Sequence, residues 1–190
     1  MNALSLFANV GIAETYLCKI GIDVVVANEL DEQRARFYTH LYPNCDMIQG
    51  DITSERIYKQ IVKKAQEANV ELIMATPPCQ GMSIAGHNSP YDERNSLIKY
   101  AIDAVVEIKP KFVFFENVTQ QLVTPIICDN KEMLIPEYIH KRLGELYRFN
   151  NEQITNAMDY SVPQRRERCI FLLTRKDLNL TWNFHAPSRI

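Results

Sequence analysis

The stretch Val70-Glu71-Leu72-Ile73-Met74-Ala75-Thr76-Pro77-Pro78-Cys79-Gln80-Gly81-Met82-Ser83 joins a short apolar run to two prolines and a cysteine. The run from Val70 to Ala75 predicts a buried strand. Cys79 then follows the carboxyl end of that strand, the edge at which open α/β sheets bind ligands. Pro77 and Pro78 fix φ and make the approach to the cysteine stiff. Cys79 is therefore a candidate nucleophile on a loop, and the alternative is a small buried apolar residue.

The composition narrows the class of protein. With 190 residues, of which 46% are hydrophobic and 23% charged, the chain suits one domain with a core of its own. A net charge of −2 gives no general attraction to nucleic acid, so any such contact needs a local basic cluster. The five cysteines match no metal spacing, and the sequence shows neither a secretory signal nor an apolar run of membrane length. We therefore predict a cytoplasmic protein without metal or membrane span.

The first part of the chain has the order typical of a nucleoside-binding site. Its predicted elements are a strand over 3–7, a turn over 8–11, a helix over 12–20 that stops at Gly21, and a strand over 23–29. Such a turn lets a ligand approach the backbone, and Glu29 at the end of the second strand can bind both ribose hydroxyls. The alternative for Glu29 is a charge at the N-terminus of the next helix, Asp31 to Leu41.

A second acid follows the third predicted strand, Cys45 to Gln49. Asp51 stands there, where it could reach the base of a bound cofactor. The alternative is that Asp51 or Thr53 caps the helix from Ser54 to Ala68.

A third acid and a run of arginines lie further along the chain. Glu116 follows the predicted strand Phe112 to Phe115, next to the strand that leads to Cys79, where a carboxylate is placed for chemistry; the alternative is a surface acid. The segment Gln164-Arg165-Arg166-Glu167-Arg168 precedes an apolar strand and could bind phosphate or a base, or form a solvated edge. The remaining predictions are helices over 97–106 and 134–147 and strands over 154–158 and 169–173.

Together, these residues resemble the C5-cytosine DNA methyltransferases. The matching motifs, in the family's order, are the cofactor positions Glu29 and Gly50-Asp51-Ile52, the nucleophile motif Pro78-Cys79-Gln80, the acidic motif Glu116-Asn117-Val118, and the arginine motif Gln164-Arg165-Arg166-Glu167-Arg168. They cover the chain from about residue 4 to 174 and are specific jointly. The resemblance implies an α/β fold of the Rossmann-like, S-adenosylmethionine-dependent methyltransferase type, with a mostly parallel sheet and helices on both faces.

The resemblance also implies the chemistry, which is transfer of a methyl group from S-adenosylmethionine to C5 of a flipped cytosine in double-stranded DNA, within a restriction-modification system. Cys79 would add to C6 of the ring, and Glu116 would hold or protonate N3. Arg166 and Arg168 would favour the thiolate, and Arg168 would also hold O2 and orient Glu116. The residues assigned to the cofactor are Phe7, Gly11, Glu29, Leu30, Asp51, Ile52, Pro78 and Leu97, and those assigned to DNA are Gln80, Ser83 and Arg165.

The chain departs from the family at its start. The family usually opens with Asp-Leu-Phe, a further residue and Gly-x-Gly-Gly, whereas this chain has Ser5, Asn9 and Ile12 in place of the acid and two of the glycines. Phe7 and Gly11 are kept. The changes concern the part of the site that faces the methionine moiety of the cofactor.

A further departure is that the family's target-recognition domain and its closing helix, which packs back onto the first strand, are absent from these 190 residues. We therefore predict a catalytic domain over 1–175 and an extended tail over 176–190. The recognition domain would lie on a second polypeptide, unless the chain is truncated. The missing helix should leave apolar surface bare near Leu4, Leu6 and the first helix.

Three other functions remain open from the sequence. The same residues could methylate tRNA, because the missing region would select the nucleic acid. A non-catalytic subunit that binds the cofactor is a second alternative, although Cys79, Glu116 and Arg168 are all present. A nicotinamide dinucleotide enzyme is the third, and the single glycine in the first turn disfavours it.

Overall fold

The computed structural model describes residues 1–79, 93–149 and 153–180. The strands in these ranges are β1 (Asn2–Leu6), β2 (Asp23–Glu29), β3 (Asp46–Gln49), β4 (Leu72–Ala75), β5 (Phe112–Asn117), β6 (Pro125–Cys128), β7 (Lys131–Leu134), β8 (Tyr147–Phe149), β9 (Gln153–Asn156) and β10 (Glu167–Arg175). The α-helices are α1 (Glu32–Leu41), α2 (Glu55–Glu67), α3 (Leu97–Ile108) and α4 (Ile135–Leu143). The protein is therefore mixed α/β with a mostly parallel sheet, as predicted.

The chain divides into two compact units. The first comprises Met1–Pro77 and Leu97–Val113, and the second comprises Pro78–Ser96 and Phe114–Ile190. In the first unit the strand order is β3-β2-β1-β4, and each of these pairs is parallel. Leu6 lies opposite both Asn28 and Ala75, so β1, β2 and β4 end at one edge of the sheet. The turn after β1 and the acid that ends β2 are thereby brought side by side.

Helix α2 contributes one face to the apolar core of the first unit. Its residues Ile57, Ile61, Val62 and Ala65 recur at helical spacing and are all buried. Leu4 and Leu6 of β1 are fully buried as well. The prediction of bare apolar surface at Leu4 and Leu6 is therefore wrong, because both side chains lie in the core.

In the second unit, β10 lies between β5 and β8 and pairs antiparallel with both β8 and β9. A separate hairpin, β6–β7, turns at Asp129 and Asn130, whose φ angles of 51° and 59° fit a primed two-residue turn. No prediction from the sequence covered this hairpin.

The predicted helix over 12–20 is wrong. Residues 12–16 form turns, and a 3₁₀-helix occupies only Leu17–Ile20 before Gly21 at φ 78°. The backbone hydrogen bonds in this segment join residues three apart, as in the bond from Leu17 N–H to Glu14 O at 3.0 Å. The Thr15 hydroxyl also donates to Ile12 O at 2.9 Å and so competes with α-helical bonding.

The predicted helix over 134–147 is too long. α4 ends at Leu143, and Tyr147 belongs to β8, where it is buried opposite Arg175. Pairing with β10 overrides the apolar periodicity that suggested a longer helix. The predicted tail over 176–190 lies mostly outside the described residues.

Candidate functional site

The turn that follows β1, residues 7–11, is here called the cofactor turn. Phe7, Asn9 and Gly11 have φ angles of 59°, 52° and 81°, all in the left-handed region. Asparagine adopts this region more readily than most residues, which explains how Asn9 replaces a glycine of the family's pattern. A Cβ on Gly11 would lie 2.2 Å from Cε2 of Tyr42, so this glycine is required.

Glu29 holds the cofactor turn from the neighbouring strand. Its side chain is buried, and its Oε2 accepts the Asn9 N–H at 2.8 Å while its Oε1 accepts the Asp31 N–H at 3.0 Å. The carboxylate is thus fixed at the carboxyl edge of the sheet, and part of the alternative interpretation, a bond at the start of α1, is also realised. Each oxygen keeps further acceptor capacity for a ribose hydroxyl.

The residues predicted to contact the adenine lie beside Glu29 in the same unit. Leu30 follows Glu29 directly and is 63% exposed, although it is a large apolar residue. Asp51 is exposed, and its Oδ1 accepts the Thr53 N–H at 2.9 Å. The N-cap of α2 is Ser54, so neither Asp51 nor Thr53 occupies that position. Ile52 is buried beside them.

Asn28 places Gly50 and Asp51, a role that the sequence analysis missed. Its buried Nδ2 donates to Ile48 O at 2.8 Å and to Gly50 O at 3.0 Å. A buried amide one residue before the strand-ending acid was the available signal, because such a group needs backbone partners.

The predicted nucleophile Cys79 is exposed, as expected for a residue on a loop rather than in the core. Pro77 before it is buried, and Pro78 is partly buried. Leu97 stands at the start of α3 and is partly buried. The predicted DNA contacts Gln80 and Ser83 lie outside the described residues.

Glu116 and Arg168 form an ion pair in the second unit. Arg168 Nε lies 2.9 Å from Glu116 Oε1, and the two side chains are 21% and 25% exposed respectively. The pair joins the end of β5 to the start of β10, which are far apart in sequence. Burial raises the pKa of Glu116 above its usual range, although the guanidinium groups of Arg168 and Arg166 act in the opposite direction.

Asn156, which the sequence analysis did not single out, fixes the arginine segment. Its Oδ1 accepts the backbone N–H of Met158 at 3.1 Å and that of Arg166 at 3.2 Å. Arg166 O in turn accepts the Ala157 N–H at 3.0 Å. Arg165 is exposed and lies 3.5 Å from Glu167, so it forms a solvated pair.

The described residues contain no group of three His, Cys, Asp or Glu side chains that could hold a metal ion. Among the same residues, no helix has both the length and the apolar character needed to cross a membrane.

The parallel sheet, the turn after β1 and the acid that ends β2 define the fold of the S-adenosylmethionine-dependent methyltransferases. The chain belongs to the C-5 cytosine-specific DNA methylase family, whose profile matches residues 1–189. The family assignment rests on almost the whole chain rather than on one motif.

Two curated relatives differ in how much of their length the chain covers. The type II methyltransferase M1.HgaI of Avibacterium volantium is 40% identical in an alignment of 192 positions that covers 98% of this chain and 53% of that protein. The type II methyltransferase M.AquIA of a Picosynechococcus strain is 28% identical in an alignment of 197 positions that covers 97% of this chain and 75% of that protein. The chain thus spans about half the length of most of the curated relatives it matches.

A solved structure agrees with this assignment. A DNA modification methyltransferase encoded within a prophage of E. coli is 26% identical and superposes with a TM-score of 0.76. It matches 96% of this chain and 49% of its own.

Proposed function

We propose that this chain is the catalytic part of a DNA cytosine-5 methyltransferase of a restriction-modification system, acting in the bacterial cytoplasm. The observation that carries the proposal is the half-buried Glu116–Arg168 pair in the unit that also contains the exposed Cys79. A nucleophile, a carboxylic acid with a raised pKa and a cation are the groups that addition to a cytosine ring requires.

The nucleophile solves the first chemical difficulty, which is that C5 of cytosine is a poor nucleophile. Sγ of Cys79 adds to C6 as the thiolate. The electron pair of the C5–C6 double bond shifts to C5 and, through C4, to N3. Exposure of Cys79 gives a flipped base access to sulfur.

Glu116 stabilises the negative charge that develops on the ring when the thiolate adds. Its raised pKa keeps a proton available for N3 at a higher pH than an ordinary carboxyl would allow. Arg168 fixes the orientation of Glu116 through the Nε contact and has other guanidinium donors for O2 of the ring. C5 would then accept the methyl group that the cofactor supplies, which leaves the demethylated cofactor. A base would remove the C5 proton, Glu116 would take back the N3 proton, and the thiolate would leave as the C5–C6 double bond re-forms.

The residues of the first unit fit S-adenosylmethionine, which supplies the electrophilic methyl group when bound. Glu29 would bind the ribose hydroxyls, and exposed Leu30 with Asp51 and Ile52 would bind the adenine. The backbone of the cofactor turn, with Phe7 and Gly11, would face the methionine part. Leu97, at the start of α3, completes the proposed set in this unit, whereas Pro78 belongs to the second unit.

The DNA-recognition region is proposed to lie on a second polypeptide. The coverage of M.AquIA supports this, because that relative is shorter than M1.HgaI over a similar aligned length. Ile12, Tyr16 and Ile20 of the segment after the cofactor turn are 78%, 68% and 71% exposed, a surface that a partner could cover.

The experiment is a tritiated-methyl transfer assay on plasmid DNA, with this chain alone and with the product of the reading frame that follows its gene. We expect weak, sequence-indifferent DNA binding and no transfer by the chain alone, because a net charge of −2 neutralises few phosphates. Site-specific methylation is expected with both polypeptides. Normal turnover by the chain alone would contradict the proposal that a second polypeptide is required. Transfer to tRNA instead of DNA would contradict the proposal that DNA is the substrate.

A further inference from the structure

We propose that Glu14 is a positioning residue of the cofactor turn, and that its carboxyl group, seated on Ser5, replaces the acid that the family carries at the position of Ser5. The inference rests on the proposed function only for the identity of the cofactor. Glu14 is not among the residues that the motifs point to, and Ser5 entered the sequence analysis only as a departure from the family's opening motif.

The cofactor turn needs support because it contains little glycine. Phe7 and Asn9 hold positive φ angles that cost about 1 kcal/mol or more each for residues with a Cβ. Other residues hold parts of the turn: Glu29 binds the Asn9 N–H, and the Tyr42 hydroxyl donates to Gly11 O at 2.6 Å. These bonds anchor the turn to β2 and to the residue after α1.

Glu14 anchors the chain just after the turn to β1. The Ser5 hydroxyl, on the last part of β1, donates to Glu14 Oε1 at 2.5 Å. Glu14 is 3% exposed and Ser5 is 4% exposed, so water does not compete for this bond. Because Glu14 O also accepts the Leu17 N–H at 3.0 Å, the residue fixes the start of the 3₁₀ segment as well. The cofactor turn therefore lies between Ser5 of β1 and Glu14, and the hydrogen bond between these two residues fixes both ends of the turn.

The surroundings of Glu14 explain why position 5 is a serine. Glu14 Oε2 has no hydrogen-bond partner among the described residues, and the neighbouring groups that interact with Glu14 are the Tyr38 phenol and the Cys45 thiol. Burial raises the pKa of Glu14. This space contains one acid and no described cation, so a second acid at position 5 would be repelled.

The test is a double-mutant cycle that exchanges the two side chains: Ser5→Glu, Glu14→Ser and the double variant. Affinity for S-adenosylmethionine is measured by calorimetry, and the melting temperature is measured on the cofactor-free chain. We expect each single variant to bind at least about tenfold more weakly and to melt earlier, because one carries two buried acids and the other carries none. The double variant restores the acid–hydroxyl pair and should recover most of both losses.

A conservative variant and a control separate positioning from general damage. Glu14→Gln can still accept the Ser5 hydroxyl, so it should bind the cofactor much better than Glu14→Ser. Glu145→Ser, which alters an exposed acid of the second unit, should bind as the wild type does. Hydrogen exchange of residues 8–14 should be faster in both single variants and slow again in the double variant.

Additive losses in the double variant would overturn the proposal, and so would unchanged affinity in Glu14→Ser. If the wild-type chain binds no S-adenosylmethionine, the proposed function fails, and the melting and exchange cycles alone decide the role of Glu14. Recovery in the double variant then still supports the pair, and additive losses still refute it.

Discussion

Glu29 and Glu116 both stand at the ends of sheet strands, yet their surroundings differ. Glu29 is held by the backbone amides of Asn9 and Asp31, whereas Glu116 is held by the guanidinium of Arg168 from a distant strand. Amide donors fix the carboxylate of Glu29 as an acceptor, which suits binding of a diol. The raised pKa of Glu116 suits proton transfer instead. This difference is the reason for proposing a binding role for Glu29 and a catalytic role for Glu116.

The largest expected effect comes from the nucleophile. In assays that include the product of the downstream reading frame, as do all the rate measurements below, Cys79→Ser should reduce methyl transfer by several orders of magnitude, because a serine hydroxyl is not ionised at neutral pH. Its affinity for S-adenosylmethionine, measured by calorimetry, should stay near that of the wild type. Cys18→Ser, at another exposed cysteine, is the matched control and should leave the rate unchanged. A large loss of cofactor affinity in Cys79→Ser would contradict the proposal that Cys79 acts in the chemistry and not in cofactor binding.

The next effect concerns the acid and its pH dependence. Glu116→Gln should slow transfer by about 10²- to 10⁴-fold, the usual range for loss of a general acid. In the wild type, the proton donor is lost as pH rises through the raised pKa of Glu116, so the rate should fall on the alkaline side. That alkaline fall should be missing in Glu116→Gln. An alkaline limb that persists in the variant would assign the limb to another group.

A positioning effect is expected at Arg168. Arg168→Lys keeps the charge but loses the planar Nε contact to Glu116, so the rate should drop even though a cation remains. Arg148→Lys, at an exposed arginine of β8, serves as the control. Wild-type rates in Arg168→Lys would show that charge alone is needed at this position.

A smaller effect, confined to binding, is expected in the first unit. Glu29→Ala removes the acceptor of two backbone amides and should lower the free energy of unfolding by about 1 to 3 kcal/mol. It should also weaken binding of S-adenosylmethionine, which calorimetry measures. Glu32→Ala, at an exposed acid of α1, should change both quantities little. Equal affinity in Glu29→Ala and the wild type would remove Glu29 from the cofactor site.

The sequence was sufficient wherever local pattern decides structure. The strand Asp23–Glu29 was predicted with its observed bounds. The next helix was predicted from Asp31 to Leu41, and α1 occupies Glu32–Leu41 with Asp31 as its N-cap. Apolar strands that end in an acid are visible in a linear pattern, so the positions of Glu29 and Glu116 followed from the same reasoning.

The remainder depends on partners that lie elsewhere in the chain. Residues 12–20 have helical periodicity but wind as turns around the buried Glu14, and Tyr147 joins a strand because β10 is available for pairing. Glu14 and Asn156 resemble ordinary polar residues in the sequence. Their importance arises from bonds to Ser5 and to the backbone of Arg166, which only the folded chain brings within reach.

The most direct test of the assignment of chemistry to Cys79 is covalent trapping on DNA that contains 5-fluorocytosine. The chain, together with the product of the reading frame that follows its gene and with S-adenosylmethionine, is incubated with this DNA, and the adduct is mapped by mass spectrometry. Because fluorine at C5 cannot leave as a proton would, the thioether to C6 should persist. The account predicts a single adduct at Cys79 that carries the transferred methyl group, and none in Cys79→Ser. An adduct at Cys45 or Cys169, or methylation without any adduct, would contradict it.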